Sequence, residues 1–226
     1  MKPIEKKTKK KKEVMPMWGK YSVTMDFAYR LCGSVPQSKE IVPDWIKSRM
    51  PKNKPEDGKS AEEIEAEVIA ELEKVELKTT VGFMKDDSGL WVRGGTIKAH
   101  LKDCANQVKD IDLVDVKTFR SKVANAVHIK EYKVHLRNGT EIIQDYCDSY
   151  EQPIHIFVVG QGPRSALKVI NYAIKPTLKF TMLILQHKEV TLETVTRIFE
   201  YGSIHGYGGE RGMGEGRYTF RIERAK

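Results

Sequence analysis

The chain has 226 residues, of which 40% are hydrophobic, so it can bury one good core with elaborations rather than two full domains. Its formal net charge of +8 favours a polyanionic partner, because Lys and Arg side chains at phosphates release counterions. Three cysteines, Cys32, Cys104 and Cys147, lie far apart without a CxxC pair, which argues against a zinc ribbon or a disulfide framework and is typical of a reducing compartment.

The sequence gives no sign of a membrane or metal protein. No stretch approaches the roughly 20 apolar residues of a membrane span, and the basic N-terminus is not followed by the apolar core of a signal peptide. The histidines form no HExxH pair. We therefore expect a soluble cytoplasmic protein with no membrane partner, no metal site and no cofactor.

The N-terminal third combines a basic tail, a strand and a long insertion. Residues 1–16 contain a lysine run that predicts a disordered tail. Alternating apolar side chains over residues 21–31 then predict the first core strand. Prolines and charges exclude a regular core element from Pro36 to Gly58, so residues 34–80 read as an insertion. A capping box at 60–63 followed by apolar residues at helical spacing predicts a helix inside it.

The middle of the chain predicts two hairpins around a helix. A turn sequence at 86–89 joins two short apolar segments, and Asn138-Gly139 is the strongest hairpin signal in the chain. Between them, Thr96 is placed to cap a helix whose apolar stripe begins at Ile97 and ends at Val108. Lys98 and Lys102 project from other faces of this helix.

The C-terminal third predicts three strands, a helix and a final strand. The three strands cover residues 154–159, 167–174 and 178–185. Thr191 is placed to cap the last helix and Gly202 to terminate it. In the final strand Tyr218, Phe220 and Ile222 alternate with polar residues.

The order of these elements predicts an α+β fold. It is compatible with an expanded ferredoxin-like (RRM-type) β-α-β-β-α-β unit. We expect one domain over residues 17–226, with a thumb-like insertion at about 34–80 and a hairpin-rich insertion at about 110–165. Such folds host unrelated functions, so the site has to carry the functional argument.

A glycine-rich loop between the last helix and the last strand is the strongest functional signal. Residues 206–216 contain six glycines, which permit positive φ and would let successive N–H groups converge on an anion. Arg211 and Arg217 can add bidentate contacts to phosphate, and Tyr207 can stack a base. The structural alternative is a mobile connection whose glycines only allow a turn. Mononucleotide motifs do not fit, because the loop follows a helix, leads into a strand and lacks GxxxxGK[ST].

The same segment resembles the C-terminal signature of the RAMP superfamily of CRISPR-associated RNA-binding proteins. In that family a helix leads into a glycine loop with an arginine, then into a strand of the form G-R-aromatic-x-aliphatic. The matching residues here run Gly206-Tyr207-Gly208-Gly209-Glu210-Arg211-Gly212-Met213-Gly214-Glu215-Gly216-Arg217-Tyr218-Thr219-Phe220. A second segment, residues 90–102, resembles the stretch in which RAMP backbone subunits enter their first core helix. Together the two segments cover about a quarter of the chain.

The resemblance implies that the chain binds single-stranded guide RNA as a repeating subunit of a ribonucleoprotein effector complex. Its partners would be other RAMP-type subunits or copies of itself in a filament. By matching positions, the residues that would line the RNA backbone are Gly206, Gly208, Gly209, Arg211, Gly214 and Gly216, with Lys98 and Lys102 nearby. Tyr207, Arg217 and Arg93 are further candidate RNA-binding residues of the sequence. Trp45, in the insertion, is a further candidate for base stacking.

The chain departs from the family pattern at one position that bears on catalysis. Backbone subunits that cut target RNA carry an aspartate in the thumb, where this chain has Lys78, Thr79 and Thr80, so we expect binding without cleavage. Two alternatives remain open. One is a metal-independent endoribonuclease that processes precursor RNA with His205 or His100 as general base. The other is a basic scaffold protein whose tail contacts acids.

Overall fold

In a computed structural model of the protein, the described residues are 16–37, 78–111, 118–158 and 162–225. The lysine tail, the helix predicted inside the insertion and Trp45 lie outside these ranges. None of the helices in the described part of the chain is long and apolar enough to cross a membrane.

The described residues form strands, helices and one short 3-10 helix. The strands are β1 (Trp18–Phe27), β2 (Arg30–Cys32), β3 (Val35–Pro36), β4 (Lys78–Gly82), β5 (Met84–Asp86), β6 (Gly89–Arg93), β7 (Val127–Ile129), β8 (Lys133–Asn138), β9 (Glu141–Ile142), β10 (Asp148–Val158), β11 (Gly162–Ile174), β12 (Thr177–Leu185) and β13 (Tyr218–Arg224). The helices are α1 (Gly94–Ile111), α2 (Phe119–Ala126) and α3 (Leu192–His205), and the 3-10 helix covers Arg211–Met213.

The larger of the two sheets contains β1 and both of its neighbouring strands. Within the described ranges it has eight strands in the order β13-β1-β12-β8-β6-β5, with β7 also paired to β12 and β9 to β8. β1 lies between β12 and β13 and is antiparallel to both. Its register places Val23 opposite Phe180 on one side and opposite Ile222 on the other. Apolar side chains from three strands therefore share one face.

α1 and α3 cover that apolar face. The stripe predicted for α1 is buried, and Ile97, Leu101 and Cys104 are each at most 1% exposed. α3 contributes Ile198 and Phe199 to the same core. The opposite face of β1 carries Ser22, Thr24 and Asp26, which accounts for the alternation in the sequence.

A second, smaller sheet packs beside the first. In the described part of the chain it has five strands in the order β10-β11-β4-β3, with β2 also paired to β11. β11 runs parallel to β4 and antiparallel to β10 and β2. β2 is therefore the segment through which the chain passes from β1, in the first sheet, into the second sheet.

The structure is a mixed α+β fold, as predicted. Both predicted hairpins are present, and Gly139 takes the positive φ of +62° that its turn requires. Thr191 caps α3 by accepting a hydrogen bond from the Thr194 amide. The predicted strand over residues 21–31 is divided, because β1 ends at Phe27 and β2 begins at Arg30. The domain boundaries stay a prediction.

Gly202 does not terminate α3, and that prediction was wrong. The helix continues to His205 and ends at Gly206, whose amide still donates to the Gly202 carbonyl. A Cβ at position 202 would lie 2.5 Å from the Tyr218 hydroxyl and 2.8 Å from Nε2 of His100. Glycine is needed here because α1, α3 and β13 approach one another closely, not because the helix stops.

Candidate nucleic-acid interface

The glycine-rich loop is folded back on itself and attached to the second sheet. Within the loop, the Tyr207 amide donates to the Gly216 carbonyl at 2.8 Å. Outside it, the Gly209 amide donates to the Cys32 carbonyl at 2.9 Å, and the Gly216 amide to the Arg30 carbonyl at 3.0 Å. The loop therefore joins the end of α3 to β2.

Two glycines in the loop are required by close backbone contacts. Gly216 has a φ of +73°, and a Cβ there would lie 1.9 Å from the Tyr207 carbonyl oxygen. Gly206 has a φ of +83°, and a Cβ there would lie 2.4 Å from the Glu215 carbonyl oxygen. At Gly212, by contrast, an added Cβ meets nothing within 4 Å. The loop is a packed structural element rather than a mobile connection.

These hydrogen bonds correct the prediction that successive N–H groups of the loop converge on an anion. Most N–H groups of the loop already donate to backbone oxygens, namely those of Gly206, Tyr207, Gly209, Met213, Gly214, Glu215 and Gly216. An anion cradle needs N–H groups that have no other acceptor. The loop would therefore contact phosphate chiefly through its arginines.

The two carboxylates of the loop are neutralised by cations of the second sheet. Glu210 pairs with Lys168 and Glu215 with Arg30, and the two glutamate side chains are only 13% and 12% exposed. The Arg30 guanidinium also lies over the rings of Tyr150 and Tyr172, at 5.0 and 5.2 Å.

The two other charged residues of this segment, Arg211 and Arg217, form no ion pair with a carboxylate of the described residues. The surface of the loop is therefore positive. Arg217 is exposed and lies next to Gly214, where the loop leads into β13.

Tyr207 anchors the loop to α1 and is not the exposed stacking platform that the sequence predicts. The Thr96 hydroxyl donates to the Arg93 carbonyl at 2.7 Å and accepts from the Tyr207 hydroxyl at 2.6 Å. Tyr207 is 5% exposed, and burial raises the pKa of its hydroxyl. A ring this enclosed cannot stack a base on the outer surface.

His100 is also buried, which removes it as a general base. It is 4% exposed, and its Nε2 lies 3.0 Å from the Tyr218 hydroxyl. The pKa of His100 is lowered to about 3, mainly by burial and also by the nearby Arg211 and His205. The imidazole is neutral at physiological pH, and the 2′-hydroxyl of a bound RNA cannot reach it.

His205 has a different environment, at the exposed end of α3. Its ring is stacked on Tyr201 with centroids 5.5 Å apart. Arg211 approaches its Nε2 through Nη1 at 3.3 Å. Of the two predicted histidines, His205 is thus the one that solvent and a ligand can reach.

The start of α1 is an open, positively polarised helix terminus. Its first turn contains no acidic residue. The Gly94 amide donates to the Tyr132 carbonyl at 2.9 Å, whereas Gly95 is exposed and a Cβ added there would meet nothing within 4 Å. A helix N-terminus carries about half a positive charge and presents amides that lack intrahelical acceptors. This end of α1 therefore favours an anion.

Lysines extend this positive region along α1. Gly95, Lys98 and Lys102 are spaced by three and four residues, so they share one side of the helix. The Lys98 ammonium lies 3.2 Å from Nδ1 of His128, on the edge strand β7. The pKa of Lys98 is lowered mainly by burial and also by Lys102, so the two cations lie close together.

The predicted residues that the structure describes lie on two sides of α1. Lys98 and Lys102 lie on the side of α1 towards β7 and α2, and Lys102 shares a shallow depression with Arg120. Arg211 and His205 lie on its other side, towards α3. Arg93 immediately precedes the helix and is exposed. No group of His, Cys, Asp or Glu side chains in the described ranges is arranged to hold a metal ion.

Sequence reasoning missed the cations that hold the loop in place. Arg30 and Lys168 were not singled out, although they neutralise the glutamates of the loop. The short strand Arg30–Cys32 gives no periodic signal of its own. Alternating glutamates and arginines inside the loop were the only hint that some of its charges are paired.

Comparisons with known proteins find a remote structural likeness only. No protein-family model matches the chain, and no curated protein matches its sequence. Among solved structures, a chain of the type III-B Cmr-beta complex bound to cognate target RNA, determined by cryo-electron microscopy, aligns with a TM-score of 0.44 and 11% sequence identity. The alignment covers 93% of this chain and 62% of that one, so the chain spans less than two thirds of its length.

Proposed function

We propose that the protein binds the phosphate backbone of single-stranded RNA along the N-terminal half of α1. The observation that carries this proposal is the open start of α1 at Gly95, with lysines on one side and Arg211 on the other. Phosphate groups bind readily at such helix termini, because the amides and the helix dipole favour negative charge.

A polymeric ligand accounts for the extent of this surface. The helix from Gly94 to Lys102 spans about 12 Å at 1.5 Å per residue, which is more than one phosphate needs. Lys98 and Lys102 are one turn apart on the same side, as successive contacts along a strand require. The packed loop positions Arg211 on the opposite side of the helix start.

The proposal includes a ferredoxin-like core of the RRM type. The support is the strand order β13-β1-β12-β7, with every neighbouring pair antiparallel. In sequence, α1 precedes β7 and α3 connects β12 to β13, which is the order of a β-α-β-β-α-β unit. The segment from β2 to β6 and the strands β8 to β11 are then additions to this core.

The proposed biological role is a repeating RNA-binding subunit of a CRISPR-type ribonucleoprotein that holds guide RNA without cutting its target. The support for binding without cleavage is chemical. Lys78, Thr79 and Thr80 provide no carboxylate at the position of the thumb aspartate, and His100 is enclosed. If copies assemble along guide RNA, light scattering should show the number of protein chains per complex rising with RNA length.

The test uses fluorescence anisotropy with labelled single-stranded RNA over a series of salt concentrations. Single-strand binding loses about 0.7 units of log-log salt slope for each phosphate contact removed. The double variant Lys98→Ala, Lys102→Ala should therefore lower the slope by about 1.4, and Arg211→Ala by about 0.7. Arg224→Ala, at the far end of β13, makes the same charge change as Arg211→Ala and should leave the slope unchanged.

Deleting residues 1–13 separates this surface from the basic tail. RNA affinity that survives the deletion and falls in the α1 and Arg211 variants supports the proposal. If the deletion abolishes binding while those variants bind normally, the tail carries the affinity and the scaffold reading is correct.

A metal-independent ribonuclease is a second candidate, favoured by the exposure of His205 beside Arg211. In that case RNA would be cut in the presence of a chelator, and His205→Ala would abolish cutting without weakening binding. Equal cutting by wild type and His205→Ala would exclude this histidine as the base.

A further inference from the structure

We propose that Tyr29, on the turn between β1 and β2, is a stacking platform for one base of the bound RNA strand, with Lys175 and Arg217 beside it as contacts for the flanking phosphates. This inference rests on the proposed RNA binding. It extends the RNA path from the start of α1 across the glycine loop. Stacking of bases combined with pairing of phosphates is a common way in which proteins hold single-stranded RNA.

Tyr29 is the most exposed tyrosine of the described residues. It is 74% exposed, whereas Tyr207 and Tyr218, at the two ends of the glycine loop, are at most 5% exposed. Within the described ranges the ring of Tyr29 packs against no other aromatic ring, and its hydroxyl has no hydrogen-bond partner. A ligand that covers one face of this ring would remove apolar surface from water, which is favourable.

Backbone hydrogen bonds fix the turn that carries Tyr29. The Ala28 amide donates to the Arg217 carbonyl at 3.0 Å, and the Lys175 amide donates to the Tyr29 carbonyl at 2.5 Å. These bonds hold the backbones of Arg217 and Lys175 against the turn. A group on a fixed backbone has less conformational entropy to lose when a ligand binds, so the exposed ring is a preorganised contact.

A shallow depression of about 430 Å3 lies beside Tyr29. Tyr29, Ile174 and Lys175 line one part of it, and the ion pair between Arg30 and Glu215 lines another. Ile174 is 52% exposed, so it adds apolar surface next to the tyrosine ring. The charges of the ion pair balance each other, which leaves the ring and the lysine as the groups available to a ligand.

Two cations beside the depression form no ion pair with a carboxylate in the described part of the chain. Lys175 is exposed, and so is Arg217, whose Nη2 lies 3.7 Å from the position of a Cβ added to Gly214 in the lining. One carboxylate lies nearby, that of Asp148, and the Tyr172 hydroxyl donates to it at 3.3 Å. The balance of charge is positive, which favours the phosphates on either side of a stacked base.

The backbone of Lys175 gives an independent indication that its side chain has a role. Its φ is +44°, a left-handed conformation that glycine adopts without cost and lysine does not. Residues held in such conformations cluster at binding sites, where the surrounding structure maintains them. A long cationic side chain at a position that suits glycine indicates a function for the ammonium group.

A base of the RNA fits this surface better than a protein partner. Protein interfaces are depleted in lysine, whereas cations beside an exposed aromatic ring are typical of single-strand binding surfaces. The positive surface also continues towards α1, because the Gly214 amide donates to the Arg211 carbonyl at 3.0 Å. This turn is a 3-10 helix with a rise of about 2 Å per residue, so Arg211 and Gly214 lie about 6 Å apart along its axis.

The experiment measures the affinity of the full-length protein for two labelled probes by fluorescence anisotropy: a single-stranded RNA oligonucleotide, and an abasic oligonucleotide of the same length and charge. Tyr29→Ala should weaken binding of the RNA about tenfold, because one stack between base and ring is lost, and should leave the abasic strand unaffected. Tyr29→Phe keeps the ring and should bind both probes as the wild type does. Leu192→Ala, which truncates another exposed apolar residue at the far end of α3, is the matched control and should change neither affinity.

Salt dependence separates the ring from the cations. Stacking releases no counterions, so Tyr29→Ala should lower RNA affinity by the same factor at every salt concentration. Lys175→Ala and Arg217→Ala each remove a phosphate contact, so each should lower the log-log salt slope by about 0.7 for both probes.

Selective loss of RNA affinity in Tyr29→Ala, with Tyr29→Phe and the abasic strand unaffected, supports the subsite. Wild-type RNA affinity in Tyr29→Ala overturns it; fewer protein chains per particle in light scattering would then assign this tyrosine to a protein interface. Equal loss for both probes also overturns it, because the ring would then act on the loop rather than on a base. The RNA surface on α1 stands in each of these cases. If the wild-type protein binds neither probe, the proposed function fails and the subsite with it.

Discussion

Replacing Gly216 with alanine would test whether the glycine loop is a packed structural element. Gly216 has a φ of +73°, and an alanine Cβ would lie 1.9 Å from the Tyr207 carbonyl oxygen. The left-handed backbone alone costs an alanine about 1–2 kcal/mol. Relief of the clash would also break the 2.8 Å hydrogen bond from Tyr207 to Gly216, which is worth about 1 kcal/mol. We expect Gly216→Ala to lower the free energy of unfolding by about 3 kcal/mol.

Urea unfolding followed by circular dichroism measures this change, with Gly212→Ala as the matched control. Gly212 does not have a positive φ, and its added Cβ meets open space, so its substitution should change stability by less than about 0.5 kcal/mol. Folded Gly212→Ala should also bind RNA normally. Equal stability of the two variants, with RNA affinity lost in both, would refute the structural role and favour a cradle of loop amides.

Two further predictions concern buried titratable groups. The pKa of His100 is about 3 in the folded protein and 6.5 in the unfolded chain, so its contribution to stability is complete above pH 6.5 and is lost as the pH falls from 6.5 towards 3. Unfolding experiments should show a loss of about 2 kcal/mol from this residue between pH 6.5 and 5, absent in His100→Gln; equal pH dependence of the two proteins would contradict the assignment. For the thiols, burial raises the pKa of Cys32 to about 11 and that of Cys104 to about 12, whereas Cys147 is exposed. A maleimide should therefore label Cys147 first in the native protein, and rapid labelling of all three cysteines would show that the core is open.

Elements with a strong local pattern were predicted well from the sequence. The stripe from Ile97 to Val108 and the alternation around Val23 are both local, and both are buried as expected. The cap at Thr191 is also a local interaction, between side chain and backbone three residues apart. α2 was missed because a helix of 8 residues with three buried side chains gives too few repeats of the pattern.

Features that depend on distant partners were predicted poorly. Sequence composition indicates that the loop is rich in glycine, but the partner of Glu215 is Arg30, 185 residues away. The same limitation applies to the second sheet, where β11 pairs with β4 and β2 across long stretches of chain. A glycine in a sequence can have more than one structural role. Gly202 was expected to end α3, but it is a glycine because the neighbouring elements approach it closely.

The ends of the long insertion, at residues 37 and 78, determine how this protein can change in length during evolution. The chain leaves the second sheet after Gln37, whose amide donates to the Thr80 carbonyl at 2.8 Å, and β3 pairs with β4 directly beside it. The two ends of the segment thus lie close together, on neighbouring strands of one sheet. Once the ends of a connection are held together, doubling its length adds in general only about 0.6 kcal/mol of closure entropy. Descendants of this chain can therefore exchange, shorten or extend the segment between residues 37 and 78 while both sheets keep their architecture.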